Sequence, residues 1–256
     1  MIGSVKLTKI ILSGSSGQMG CTLNRIISER SDCTVVAGIS KNSNSSDNFP
    51  VFNSPDKINV DADVIIDFSN PDLIDSLLSF ATCKKMPIVI CTTGFTDEQI
   101  AKIKDTSKLI PIFFSENMSI GINLLIELAK KAALVLGSNF DIEIVEKHHN
   151  KKIDAPSGTA LMIANAINSV NNQNLSYVYE RHSKREPRSH REIGIHSIRG
   201  GTIVGKHDVV FAGKDEVLTL SHTAQSKGIF AVGAINAAIF LLSKSAGLYN
   251  MSDLLK

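Results

Sequence analysis

Over the first 115 residues, short unbroken apolar runs alternate with stretches of helical spacing, and few folds accept that pattern. Residues 9–13 (KIILS), 34–39 (TVVAGI), 63–68 (DVIIDF), 87–92 (PIVICT) and 109–114 (LIPIFF) are rich in apolar and β-branched side chains without a polar residue at every second place. Strands buried on both faces read this way, as in a parallel sheet covered by helices. Helical patterns fall between them: residues 19–30, a segment after Asn70-Pro71 with Leu73, Ile74, Leu77 and Leu78 on one side, and residues 97–107. Strand and helix in repeated succession predict a doubly wound α/β domain. A polar, low-complexity loop, residues 41–48 (KNSNSSDN), interrupts it.

The first strand runs into Gly14-Ser15-Ser16-Gly17-Gln18-Met19-Gly20 and then into a helix. A turn of this kind presents backbone N–H groups at the positive end of a helix, where a pyrophosphate can bind. The spacing G-x-x-G-x-x-G is a weak signal alone, since glycine turns end many strands, but its place at the first strand–turn–helix strengthens it. NAD-preferring folds put an Asp or Glu at the end of the second strand to take the ribose 2′-hydroxyl. Here that strand ends in Ile39-Ser40-Lys41. A carboxylate would repel a 2′-phosphate and Lys41 could pair with one, so NADPH is expected to bind at least as well as NADH. The plain alternative is a solvated lysine.

The pattern changes after Ser119. A long helix over 120–136 leads to a strand at 140–145, with Ile142 and Ile144 on one face and Asp141, Glu143 and Val145 on the other. A polar loop, a helix from Ser157 to about Ala166, and successive strands over 192–221 with Gly-rich turns (Gly200-Gly201, Gly205 and Gly213) follow. A final apolar helix over 227–243 is expected to return to the first domain. The expected division is a dinucleotide-binding domain at 1–118, joined by 229–256, and a second α+β domain at 119–228.

Residues 146–160 (EKHHNKKIDAPSGTA) are the densest chemical stretch, lying between a strand and a helix. Pro156 and Ser157 suit a helix start. The N–H groups of Ser157, Gly158 and Thr159, with the Thr159 hydroxyl, would form a second anion cradle. His148, His149 and Lys152 bring donors to the same loop, which suggests a small carboxylate substrate and a proton supplied by His or Lys. Adjacent histidines point to opposite sides of an extended chain, and no acidic or thiol cluster accompanies them, so no metal site is expected. A solvated loop with a good helix cap is the competing reading.

Composition removes other classes. Net charge is +2 over 256 residues, too little to imply a nucleic-acid or membrane partner through bulk electrostatics. Cys21, Cys33, Cys83 and Cys91 form no C-x-x-C pair, and reduced thiols in a cytoplasmic protein are expected. The short apolar run at residues 10–12 gives no sign of a signal peptide. The longest uncharged stretch, 228–243, holds Asn236 and is short for a bilayer span. A basic cluster of Arg181, Lys184, Arg185, Arg188 and Arg191 is interrupted by Glu180, Glu186 and Glu192, and reads as a mobile loop with a solvated charged face.

Five segments in order, GSSGQMG at 14–20, CTTG at 91–94, NMSIGIN at 117–123, EKHHNKKIDAPSGTA at 146–160 and IHSIRGGTIVGKH at 195–207, together resemble the dihydrodipicolinate reductase (4-hydroxy-tetrahydrodipicolinate reductase) family. The resemblance implies a Rossmann-like doubly wound parallel sheet plus an α+β substrate domain whose open mixed sheet builds a homotetramer. It implies NAD(P)H-dependent reduction of the cyclic dicarboxylate substrate, with loss of water, in lysine and diaminopimelate biosynthesis. A non-catalytic NADPH-binding sensor of the same fold is the alternative. Carried over by position, Gly14, Ser15, Ser16, Gly17, Gln18 and Met19 would hold the cofactor pyrophosphate, with Ser40 and Lys41 near the adenosine ribose. Cys91, Thr92, Thr93, Ser115, Glu116, Asn117 and Met118 would line the nicotinamide side. His148 and Lys152 would donate protons and His149, Gly158 and Thr159 would bind the substrate carboxylates, with Lys152 and Ser157 added to that clamp by the reading of the loop itself. Cys91 stands where the family often has glycine, Met118 where it often has phenylalanine, and Lys227 where it often has arginine. Hinges are expected near 115–121 and 226–228.

Overall fold

Ile10, Ile11, Leu12, Val64, Ile65, Ile66, Ile88, Val89 and Ile90 are all 0% exposed, the burial expected of strands covered on both faces. They belong to a seven-stranded sheet in the computed structural model, which describes residues 7–42, 48–171 and 174–256. Residues 43–47 of the polar loop lie outside the described residues.

In chain order the elements begin with β1 (Thr8–Ser13), α1 (Gln18–Ser28), β2 (Cys33–Ile39), β3 (Val51–Phe52), β4 (Val64–Asp67) and α2 (Ile74–Cys83). Next come β5 (Ile88–Ile90), α3 (Asp97–Thr106), β6 (Pro111–Phe114), α4 (Ile120–Leu136), β7 (Asp141–His148) and α5 (Gly158–Val170). The chain ends with β8 (Ser176–Val178), β9 (Glu192–Arg199), β10 (Gly205–Ala212), β11 (Val217–Ala224), α6 (Gly228–Leu241), β12 (Gly247–Tyr249) and α7 (Met251–Leu254).

Two compact units divide the chain: Met1–Ile120 with Lys227–Lys256, and Gly121–Ser226. In the first, the order β12-β6-β5-β4-β1-β2-β3 is parallel throughout. Apart from β12 this is the 3-2-1-4-5-6 order of a doubly wound nucleotide fold, whose ligand crevice opens at the carboxyl ends of the strands beside β1 and β4. α6 buries Ala231, Ala234, Ile235, Ala237, Ala238 and Leu241 in this unit's core. Its Gly233 has no room for a side chain, because a Cβ there would lie 1.7 Å from the Met118 carbonyl oxygen. The strict glycine lets helix and backbone touch.

The second unit holds a mixed sheet in the order β11-β10-β7-β9-β8, with β7, β9 and β8 parallel and β10 and β11 antiparallel to their neighbours. Ile142, Ile144, Ile195, Val209 and Phe211 pack with α4 (Ile122, Leu125, Ala129) and α5 (Ile163, Ala164, Ile167).

Several expectations need correcting. β7 runs to His148, past the expected end at 145, so Glu146 and His148 continue the inward face begun by Ile142 and Ile144. α5 extends to Val170. β3, β8 and β12, each two or three residues long, were not anticipated, since so short a strand shows no periodicity. Gly205 begins β10 and is not part of a turn. The arginine segment is not simply a solvated face. Arg188 pairs with Asp141 at 2.5 Å and Glu143 at 3.1 Å and donates to the Ile142 and Glu192 carbonyls, while Arg181 pairs with Glu192.

Candidate active site

In the first unit the glycine loop leaves β1 at the topological switch point. Gly14 has φ +80°, and a Cβ there would lie 2.3 Å from the Phe68 carbonyl oxygen. Gly20 is pressed on the loop from behind, with a Cβ position 2.3 Å from the Gly14 oxygen and 2.4 Å from that of Ser15. Gly17 caps α1 without a side-chain hydrogen bond, and the first turn holds no acidic residue. The positive end of the helix is therefore not neutralised by its own sequence, which fits a pyrophosphate. Ser15 is buried, Ser16 and Met19 are half-buried, and Gln18 is exposed.

Two features near the loop escaped sequence reasoning. Lys227 donates to the Gln18 side-chain oxygen at 3.0 Å, which sets an ammonium beside the loop from 209 residues away. Asp67, 1% exposed at the end of β4, accepts from Ser69 Oγ at 2.5 Å and from Thr92 Oγ1 at 2.7 Å. Burial pushes its carboxyl above the ordinary range, and burial with the Asp67 charge pushes the Cys91 thiol well up. Thr92 also accepts the Ser69 N–H at 2.9 Å, so its hydroxyl is engaged within the protein. The only early sign was an aspartate closing an apolar strand.

The remaining expected cofactor residues follow the carboxyl ends of β2, β5 and β6. Ser40 hydrogen-bonds Ser16 through its hydroxyl and donates its N–H to Phe52 at 2.9 Å, and Lys41 is exposed. Thr93 is exposed before Gly94 at φ +85°. Ser115 donates to the Asn117 carbonyl at 3.0 Å, the Asn117 side chain accepts the Ser119 N–H at 2.9 Å, and Glu116 is exposed. Met118, 2% exposed, has its side chain in the core.

In the second unit the chemistry gathers where β7 ends and α5 starts. Glu146, His148 and His207 share the buried face of the sheet, with His207 opposite Glu146 in register. Glu146 is 0% exposed yet accepts four hydrogen bonds: from His148 Nδ1 at 2.5 Å, from Arg199 at 2.8 and 2.6 Å, and from the Ser157 N–H at 3.1 Å. Against the cost of burial, hydrogen bonds from Arg199, His148 and Ser197 hold its carboxyl down at about 2. The His148 and His207 rings meet edge to face at 5.3 Å. Burial and the His148 charge depress His207 to about 4, so it is neutral near pH 7.

Ser157 is the N-cap of α5. Its Oγ accepts the Ala160 N–H and lies 3.2 Å from His207 Nε2, and its own N–H goes to Glu146. The expected use of that N–H in an anion cradle is therefore corrected, because a carboxylate of the chain already holds it. Gly158 is exposed, and nothing lies within 4 Å of where its Cβ would be. His149 Nδ1 is buried without a hydrogen-bond partner, as a group awaiting a ligand would be. Lys152 pairs with Asp154 at 2.8 Å, which lowers that carboxyl. The loop is tied down where Gly200 donates to the His148 carbonyl at 2.9 Å and Asn150 to that of Gly201 at 3.2 Å. Among the described residues no group of three or more His, Cys, Asp or Glu could hold a metal, and no helix is long and apolar enough to cross a membrane.

The family description "Dihydrodipicolinate reductase, N-terminus" matches residues 8–118, and "Dihydrodipicolinate reductase, C-terminus" matches residues 121–255. The 4-hydroxy-tetrahydrodipicolinate reductase of Caldanaerobacter subterraneus subsp. tengcongensis is 52% identical over 250 residues, covering 98% of this chain and 99% of its own. That of Clostridium novyi is 46% identical over 250 residues, with 98% and 99% covered. The dipicolinate-bound dihydrodipicolinate reductase from Paenisporosarcina sp. TG-14 superposes with TM-score 0.80 at 25% identity, over 95% of this chain and 97% of that one. A myo-inositol dehydrogenase from Corynebacterium glutamicum, at TM-score 0.60 and 14% identity over 97% and 92%, shares the fold alone. With both halves matched and the parallel nucleotide sheet joined to the mixed second sheet, this chain belongs to the dihydrodipicolinate reductase family.

Proposed function

We propose that the chain reduces 4-hydroxy-tetrahydrodipicolinate to tetrahydrodipicolinate with loss of water, in lysine and diaminopimelate biosynthesis. The observation that carries this reading is His148 on its buried carboxylate at the start of α5, beside the unpartnered His149 Nδ1. It sets a proton donor next to a place that favours anions.

The glycine loop from Gly14 to Met19 holds the pyrophosphate of NADPH or NADH, and Ser40 and Lys41 flank the adenosine ribose. Cys91, Thr92, Thr93 and the 115–118 segment border the nicotinamide, with Thr92 and Met118 contributing through the backbone, since their side chains are engaged or buried. When bound, the cofactor supplies the hydride. His149, Lys152 and the Gly158–Thr159 helix start hold the two carboxylates of the substrate and orient its ring. The ring unsaturated by loss of water gains negative charge on reduction, and His148 or Lys152 delivers the balancing proton. NADPH is the preferred cofactor, because Lys41 can pair with a 2′-phosphate and residues 40–42 carry no carboxylate. The enzyme works in the cytoplasm as a homotetramer built on the open face of the five-stranded sheet, where Ile198 and Val217 are exposed.

The test follows the absorbance of NADPH on mixing with freshly generated substrate. Turnover that requires the substrate supports the reading. Tight NADPH binding without turnover would replace it with the sensor.

A further inference from the structure

Arg199 lies 53 residues from Glu146 in sequence, yet its two terminal nitrogens grip both carboxylate oxygens. Such a fork is the strong form of the carboxylate–guanidinium contact. Arg199 also donates to the Asp154 carbonyl at 2.7 Å, and Asp154 holds Lys152 through its side chain. One arginine thus braces the supports of both proton donors. Glu146 receives a further bond from the Ser157 N–H at the start of α5. With Arg199 and the Ser157 N–H fixed on it, the carboxylate is held in place facing His148 Nδ1, which lies 2.5 Å away.

We propose that Glu146, braced by Arg199, is a positioning residue for the reduction, keeping a proton on His148 Nδ1 so that Nε2 is the atom that gives and takes the catalytic proton. This deepens the reductase reading above and rests on it. An ionised carboxylate only accepts, so the imidazole nitrogen facing it must donate. Nε2 then alternates between lone pair and N–H. Gly205 precedes Lys206, the register partner of Lys147, and a Cβ at Gly205 would lie 3.2 Å from His148 Nε2. The missing side chain leaves that nitrogen uncrowded. His207 cannot take over this duty, because its Nε2 is engaged with Ser157.

The experiment pairs kinetics with nitrogen-15 NMR of histidine-labelled protein. Glu146→Gln removes the charge, and Glu146→Asp keeps the charge and the Arg199 pair but shortens the reach to His148. Each is expected to lower kcat by at least ~10-fold, less than the ~100-fold or more for losing an acid–base group outright because His148 remains, with KM for substrate and NADPH within about twofold. The double variant Glu146→Gln/His148→Gln should be no slower than His148→Gln alone, since the two act as one unit. In the unsubstituted protein a strongly downfield proton bonded to Nδ1, assigned by its loss in His148→Gln, is expected and should vanish in Glu146→Asp. Should Glu146→Gln fail to fold, Glu146→Asp carries the kinetic test. Absence of the Nδ1 proton from the unsubstituted protein would overturn the proposal. So would kcat within about twofold in whichever Glu146 variants fold, or a double variant slowed by the full product of the single effects. The resonance is read without substrate, so an enzyme that never turned over would sink the reductase reading while the placement of the proton was still decided.

Discussion

Ser157 holds Glu146 through its backbone and His207 through its side chain, at 3.1 and 3.2 Å, while capping α5 with the same oxygen. Ser157→Ala keeps the backbone bond and deletes the other two. Loss of an N-cap costs about 1 kcal/mol. Leaving the buried His207 Nε2 unpaired adds about 1–3 kcal/mol. Urea unfolding near pH 7.5 should therefore show a loss of roughly 2–4 kcal/mol. A variant as stable as the parent would mean that His207 finds another partner.

The same pocket sets an acid limit. His207 stays neutral in the fold down to about 4, while the unfolded chain protonates it below 6.5. Between these values the unfolded state binds more protons, so stability falls as pH falls, by up to about 1.4 kcal/mol per pH unit. Glu146 adds a lower limb, since its contribution is complete above the unfolded value of 4.5 and is lost as pH drops through about 2. His207→Gln should flatten the upper limb and leave the lower one. Denaturant unfolding at several pH values from 7.5 to 2 measures this, and an unchanged slope between 6.5 and 4 in the variant would place the titration elsewhere.

The nucleotide unit was readable because its strands are covered on both faces, so the apolar runs announce themselves without alternation. The glycine loop could be placed since Gly14 and Gly20 answer to local geometry, a positive φ and a helix pressed on a carbonyl. Distance in sequence hid the rest. Arg199 and Glu146 are partners only because β9 lies parallel to β7, and Lys227 reaches Gln18 only after the chain returns. Asp67 ends β4 inside an apolar run, and its contact with Thr92 depends on β4 and β5 being neighbours. The polar stretch at 146–148 looked like loop because polar residues there face inward on a strand, where burial is tolerated only with partners that periodicity cannot reveal.

Lys152 sits in the loop with its ammonium 2.8 Å from Asp154 and its side chain mostly covered. In the proposed reduction Lys152 is a proton donor and a carboxylate clamp together, so Lys152→Ala should drop turnover by at least ~100-fold. A steady-state assay measures it. Near-normal kcat would assign the proton to His148 alone.

Lys41 is exposed at the end of β2, beside Ser40 whose hydroxyl bonds Ser16 of the glycine loop. An ammonium facing a 2′-phosphate, partly screened by solvent, is worth up to ~1 kcal/mol. Lys41→Ala should therefore raise KM for NADPH by roughly two- to fivefold, with little change for NADH. In the parent enzyme KM for NADPH should be the lower of the two. A preference for NADH would show that Lys41 does not reach the phosphate.

Gly20 offers the sharpest test of the nucleotide loop, because it is buried behind the loop on α1. A Cβ at this position would meet the carbonyl oxygens of Gly14 and Ser15 at 2.3 and 2.4 Å, and both belong to backbone that cannot rotate away. Gly20→Ala must push the loop off α1, at a typical overpacking cost of about 1–3 kcal/mol. The shift also moves the donors at the start of α1 relative to Gly14 and Ser15, so the pyrophosphate loses its cradle. Fluorescence titration should show NADPH affinity falling by at least ~10-fold, while His148 and Lys152, in the other unit, keep their surroundings. If Gly20→Ala bound NADPH as tightly as the parent, the loop between β1 and α1 would not be where the cofactor phosphates rest.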